Sequence, residues 1–177
     1  MKNIKAIIFD LDGTLLNTLY DLYQAMNFGL RNNGFAECTI EEIQKFVGNG
    51  FHKLAERALK KNASTPKFDK VFNEARDFYS EHNLDNTAPY PGIMEMLEKL
   101  KAQGIKCAIV SNKPDRDVKA LSQVFFSDYI PQELSVGENE ALGIKKKPSP
   151  ESVLHILKIL NLSKSEVLYA VDSEVDI

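Results

Sequence analysis

A chain of 177 residues, 44% hydrophobic and 27% charged, carries enough apolar material to bury a core as one domain or as a domain with an insertion. Its 22 basic and 25 acidic side chains are interspersed and leave a formal charge of −3, so it lacks the basic footprint of a nucleic-acid binder. No run approaches the ~20 apolar residues of a membrane span, and "MKNIKAIIFD" has too short an apolar run to be a signal peptide, so no membrane partner and a cytoplasmic location are expected.

The first element is "IKAIIFD", a continuous apolar run that predicts a strand buried on both faces. The next run of that kind, "IKCAIVS", comes about a hundred residues later, and between them the pattern is helical. Thr39 to Glu42 forms a capping box, "GFHKLAERALKK" repeats apolar residues at helical spacing, and Phe68, Val71, Phe72, Ala75, Phe78 and Tyr79 make one apolar stripe. Cys38 and Cys107 have neither zinc nor disulfide-framework spacing, and Cys107 reads as a buried small hydrophobe.

After the Pro/Gly-rich connector "NTAPYPG", the sequence alternates helix and strand. Ile93, Met94, Met96, Leu97 and Leu100 line a helix that Gly104 can end, and "IKCAIVS" follows it. "PSPESVLHILKIL" predicts a helix with Ser149 as N-cap and Pro150 at its first position, leading through "SKSE" to the strand "VLYAV". Such alternation implies a parallel sheet. The expected organisation is core at 1–15, a helical insertion at 16–88 and core again at 89–177.

The candidate chemistry lies at the strand ends. Asp10 and Asp12 follow the first strand, and side chains two apart on a strand point the same way. Two carboxylates in one small site repel unless a cation or a shared proton intervenes. Gly13 gives the following loop the freedom to bring backbone amides toward an anion. Ser111 closes the second strand, where a hydroxyl by itself reads equally as a helix N-cap. Lys145, Lys146 and Lys147 form a run that by itself reads as a solvated face, and the last strand delivers Asp172 and Asp176. His52, His82 and His155 share no ligand-like spacing and read as surface or packing residues.

"DLDGTLLNT" resembles the first motif of the haloacid dehalogenase superfamily of phosphohydrolases, and "VSN", Lys147 in "KKKPSP", and "VDSEVD" resemble the second, third and fourth in order. The resemblance spans essentially the whole chain. It implies an α/β fold with a Rossmann-like parallel sheet and an inserted α-helical cap. It also implies Asp10 as the nucleophile that forms an aspartyl-phosphate, Asp12 as the acid and base, and Ser111 with the Asn112 backbone amide holding phosphoryl oxygens. Lys147 would neutralise the phosphoryl group and Asp10. Mg²⁺, which takes hard oxygen ligands, would be held by the Asp10 and Asp172 side chains and the Asp12 carbonyl, with Asp176 supporting that shell.

Within the insertion, "FVGNGFHKLAERAL" resembles the helical cap of phosphoglycolate phosphatases, where a similar Gly-Asn-Gly opens a helix carrying a Glu-Arg pair. Gly48, Asn49 and Gly50 are then candidates to contact a carboxylate or phosphate of a small phosphorylated metabolite such as 2-phosphoglycolate; a plain interhelical turn is the alternative. Asp12 favours phosphoryl transfer over dehalogenation, and the insertion disfavours a phosphate-accepting receiver domain. A phosphosugar mutase and a remnant that binds phosphate or a partner without turnover remain the rival readings.

Two departures from the family pattern bear on the remnant reading. Val171 stands where the family usually has Gly, and a β-branched residue would displace the metal loop if that position required an unusual φ. The family usually continues past "EVDI" through a helix, a strand and a final helix. Without them the expectation is a hydrophobic sheet edge open to self-association.

Overall fold

The computed structural model describes residues 3–60 and 66–172 of the chain. Strand β1 (Ala6–Phe9) comes first, and after β2 (Leu16–Asn17) the chain runs through α1 (Leu19–Asn32), α2 (Ile40–Phe46), α3 (Phe51–Leu59) and α4 (Phe68–His82). It returns through β3 (Ala88–Pro89), which pairs with β2. Helix α5 (Ile93–Ala102) then leads to β4 (Lys106–Pro114), α6 (Asp115–Phe126) to β5 (Ser135–Glu138), and α7 (Glu151–Leu160) to β6 (Val167–Ala170). Two units result: residues up to Leu16 with those from Pro89 onward, and Asn17–Ala88.

The first unit is built on a parallel sheet of order β5-β4-β1-β6. Phe9 stands opposite Ile109 on one side and Ala170 on the other, so β1 and β6 end level while β4 runs on to Pro114. Because all run the same way, the residues after each of them emerge at one edge, where open α/β sheets bind ligands. The ladder continues one residue past β1, with the Asp10 amide donating to the Ala170 carbonyl at 3.0 Å. Ile8, Leu11, Ile109, Val110, Leu121 and Phe126 are fully or nearly fully buried in one core beneath this edge. Burial pushes the Cys107 thiol up to about 11, so it stays protonated at neutral pH and packs as an apolar group.

The second unit has its own core of Leu22, Met26, Leu30, Leu54, Val71 and Ala75. The expected capping box is present: Thr39 accepts from the Glu42 amide while the Glu42 carboxylate accepts from the Thr39 amide. The apolar stripe of α4 buries Val71, Ala75 and Tyr79. Gly29 lets α1 approach α4 closely, since a Cβ there would lie 2.6 Å from the Val71 carbonyl oxygen. His52 packs against Phe68 and Phe72, and His82 stacks on Phe78, in keeping with a packing role for both.

Asp21, only 3% exposed, ties the start of α1 to the segment that leaves the helical unit. Its carboxylate accepts from the Asn86 amide, the Asn86 side chain, the Thr87 amide and the Thr87 hydroxyl, at 2.8 to 3.1 Å. Asp21→Asn replaces one acceptor by a donor against this ring of donors, in either orientation of the amide. We expect it to cost about 2 kcal/mol, measured as a lower urea midpoint with an unchanged slope.

One local expectation is corrected, one alternative is excluded and one strand was not foreseen. Helix α7 begins at Glu151 with Pro150, not Ser149, as its N-cap residue, because the Ser149 hydroxyl donates to the Glu151 carboxylate instead of to the helix backbone. Ser111 caps no helix: α6 starts four residues later behind Pro114, and Ser111 stays within the buried run of β4. Strand β5, "SVGE", is short and has no apolar run. It is a strand because β4 pairs with it and α6 packs on it, with Gly137 lying where a Cβ would meet the Lys113 carbonyl oxygen at 2.5 Å.

Strand β6 pairs with β1 alone among the described strands, and Leu168 on it is half exposed. Beside it a cavity of about 310 Å³ runs between β6 and α7 to Lys147. No helix of the described residues is long and apolar enough to cross a membrane.

Candidate active site

The strand ends bring four carboxylate and lysine side chains of the first unit into two close pairs. Asp10, one residue beyond β1 and 7% exposed, accepts from the Lys147 ammonium at 2.6 Å. Lys147 also reaches the Val110 carbonyl at 3.4 Å. The three lysines of its run therefore differ: Lys145 is exposed, Lys146 pairs with Glu138 at 3.2 Å, and Lys147 is buried. An 8%-exposed lysine is tolerated only with such a partner.

Asn112 holds that lysine in place. Its side-chain oxygen accepts from the Lys147 amide at 2.6 Å and its side-chain nitrogen donates to the Lys147 carbonyl at 3.5 Å. Beyond the backbone amide expected from the family resemblance, Asn112 thus uses its side chain to join the end of β4 to a loop 35 residues away. Ser111, 5% exposed, accepts from the Lys113 amide through its hydroxyl oxygen at 3.2 Å.

The second pair was not foreseen. Lys113 Nζ lies 3.1 Å from Asp12 Oδ1, with side chains 10% and 14% exposed. Tyr90 was likewise missed: burial, and then the Asp172 and Asp12 charges, push its phenol up, so it stands close to both acids as a neutral hydroxyl. The pairing of "NK" with "DLD" is invisible in local pattern because the partners lie on different strands.

Asp172 follows β6 and is held against the loop after β1. A Cβ on Gly13 would lie 2.2 Å from Asp172 Oδ2, and Gly13 has φ +82°, so only glycine leaves this cradle for the carboxylate. Val171, just before it, is not among the described non-glycine residues with positive φ, which are Lys60 and Asn161. The backbone there asks nothing that valine cannot give. Asp176 lies outside the described residues.

Among the described residues no three His, Cys, Asp or Glu side chains gather as a metal site. The expected Mg²⁺ set does not need three: it uses two carboxylates, Asp10 and Asp172, with the Asp12 carbonyl. All are hard oxygens, and the Gly13 cradle fits the second of them.

In the helical unit, Gly48 and Gly50 have φ of +110° and +83°, and Gly50 is the N-cap residue of α3. Arg57, one helical face further on, fixes this turn by donating to the Phe46 carbonyl at 2.8 Å and to the Asn49 side chain at 2.6 Å. The Asn49 side chain is thus engaged within its own turn, and the arginine of the Glu-Arg pair explains why the two motifs occur together.

A family model described as haloacid dehalogenase-like hydrolase matches residues 7–177. A phosphoglycolate phosphatase of Psychrobacter arcticus is 35% identical over 97% of this chain and 76% of its own length. That of Aquifex aeolicus is 35% identical, covering 98% and 78%. A crystal structure from Lactobacillus delbrueckii subsp. bulgaricus, of a protein whose phosphoglycolate phosphatase name is itself provisional, superposes with a TM-score of 0.91. It is 31% identical and covers 99% of this chain and 81% of its own.

Proposed function

The chain belongs to the haloacid dehalogenase-like hydrolases and is closely related to the phosphoglycolate phosphatases, and from this we propose that it is a Mg²⁺-dependent phosphatase. Its substrate is a small phosphomonoester of the 2-phosphoglycolate type, and the reaction passes through an aspartyl-phosphate on Asp10. The observation that carries the reading is the buried 2.6 Å contact of Asp10 with Lys147 at the ligand-binding edge of a parallel sheet.

A carboxylate held beside an ammonium is ionised and oriented, as an attacking group must be. Asp10 attacks phosphorus and the ester P–O bond breaks. Asp12 gives its proton to the departing oxygen, then takes one from the water that attacks the aspartyl-phosphate, releasing phosphate and regenerating Asp10. Lys147 offsets negative charge on Asp10 and on the phosphoryl oxygens. Ser111 and the Asn112 amide receive those oxygens. Mg²⁺, held by Asp10, Asp172 and the Asp12 carbonyl with support from Asp176, would add further charge stabilisation.

Gly48, Asn49 and Gly50, in the turn that Arg57 fixes, are the proposed contacts for the rest of the substrate. The remnant reading loses one support, since Val171 does not occupy the φ region it would strain.

The test is phosphate release by the purified chain from 2-phosphoglycolate and from p-nitrophenyl phosphate, with Mg²⁺ and with EDTA. We expect Mg²⁺-dependent release and preference for phosphoglycolate; folded protein that releases none with Mg²⁺ present overturns the reading. Gly13→Ala tests the metal side. Its Cβ must displace the Asp172 carboxylate, and a shift of about 1 Å lowers turnover on the order of 10²-fold, with a raised Mg²⁺ half-saturation concentration.

A further inference from the structure

The geometry points to Lys113 as the residue that positions Asp12 for proton transfer to the leaving group, an inference that rests on the phosphatase reading above. A lysine 9% exposed is an unusual burial for this side chain and requires a partner of opposite charge. That partner is the Asp12 carboxylate, 3.1 Å from the ammonium. Each of the two neighbouring aspartates thus has a lysine from elsewhere in the chain: Lys147 on Asp10 and Lys113 on Asp12.

The backbone that carries Lys113 is held from both directions. Its amide donates to the Ser111 hydroxyl at 3.2 Å, and its carbonyl is approached so closely by Gly137 that a Cβ there would come within 2.5 Å. Pro114 follows and restricts the chain further. Asp12 lies just beyond β1 in a turn that is itself held, the Leu15 and Leu16 amides donating to the Leu11 carbonyl and the Gly13 amide to the Leu16 carbonyl at 2.9 to 3.0 Å. A rigid cation therefore meets a carboxyl group whose own backbone is fixed. By donating to Oδ1, which accepts whether Asp12 is ionised or protonated, it fixes the plane of the carboxyl group and leaves Oδ2 as the oxygen that carries the transferred proton.

The consequence falls on one half of the reaction. When the ester P–O bond breaks, an alkoxide must receive a proton from Asp12, and a misdirected carboxyl group cannot deliver it. When the departing group is p-nitrophenolate, already a stable anion, that proton is not needed. Attack by Asp10 and charge compensation by Lys147 are common to both esters. Lys113 is thus a positioning residue whose loss is felt according to the leaving group.

The experiment compares kcat/KM for 2-phosphoglycolate and p-nitrophenyl phosphate in the parent, Lys113→Met and Lys113→Arg proteins. General-acid assistance is worth about 10²-fold or more, so Lys113→Met should lose at least that on the alkyl ester and several times less on the aryl ester. Lys113→Arg, which keeps the cation and tolerates burial beside a carboxylate, should recover part of the alkyl-ester loss. Equal losses on both esters, or no loss on either, in whichever variant folds by circular dichroism, overturn the inference while leaving the phosphatase reading intact. A parent protein inactive on both esters overturns both.

Discussion

Asp10→Asn is expected to lower phosphate release by roughly 10⁴-fold or more, because an amide cannot form the acyl phosphate and no neighbouring group substitutes for it. The shape of the side chain is kept, and its carbonyl oxygen can still accept from Lys147, whose ammonium lies 2.6 Å from Asp10 Oδ1. The buried Lys147 nevertheless loses its opposite charge, so stability should fall by up to about 3 kcal/mol while the protein stays folded. Loss of turnover with retained folding separates chemistry from structure. An acid quench of the parent during turnover of a radiolabelled ester should leave label on the protein, and the variant should carry none. Label retained by Asp10→Asn would move the nucleophile elsewhere.

Lys147→Met is expected to be damaging twice over. Removing the ammonium takes the charge partner from a carboxylate that is 7% exposed, a change that costs about 3 to 5 kcal/mol when a buried pair is broken on one side. Under the proposed mechanism it also removes the cation that offsets charge on the phosphoryl oxygens, worth about 10²- to 10³-fold in turnover. The double variant Asp10→Asn/Lys147→Met distinguishes the two effects. With neither charge present, stability should recover well above that of Lys147→Met alone, while activity stays lost. If urea unfolding shows the two substitutions to be additive, the pair is not coupled as its geometry requires.

The sheet, the helical insertion and the strand-end carboxylates were legible because each is written in local pattern. "IKAIIFD", "IKCAIVS" and "VLYAV" are apolar runs of strand length, and they became β1, β4 and β6, the first two largely buried and β6 only in part. Thr39 and Glu42 cap α2 from three residues apart. Asp10, Lys147 and Asp172 needed the family motifs to be singled out, since a D-x-D or a lysine run has a bland reading by itself.

What stayed hidden depends on partners distant in sequence. "SVGE" gives no sign that β4 will pair with it, and Asn112 gives none that its side chain grips the Lys147 backbone. Lys113 looks like any charged residue after a strand until Asp12 is set beside it. Arg57 lies closer, eight residues from Asn49, yet its use in fixing that turn depends on the fold of the loop between them. The N-cap of α7 was misplaced for a local reason, because Ser149 had a nearby acid to bond instead.

The position of β1 between β4 and β6 also dictates an order of events during synthesis. The strand that bears Asp10 leaves the ribosome first, yet its two pairing partners begin at residues 106 and 167, and its lysine is 137 residues away. The helical segment between them is held by contacts among Asn17–Ala88 and can close early, as local structures do. The nascent chain therefore carries a finished helical unit and a bare, apolar β1 until β4 emerges, and a β1 paired on one side only until β6 follows. A ribosome that stalls before β4 is complete releases a product with native helices, no assembled strand-end cluster and an unpaired strand ready to aggregate.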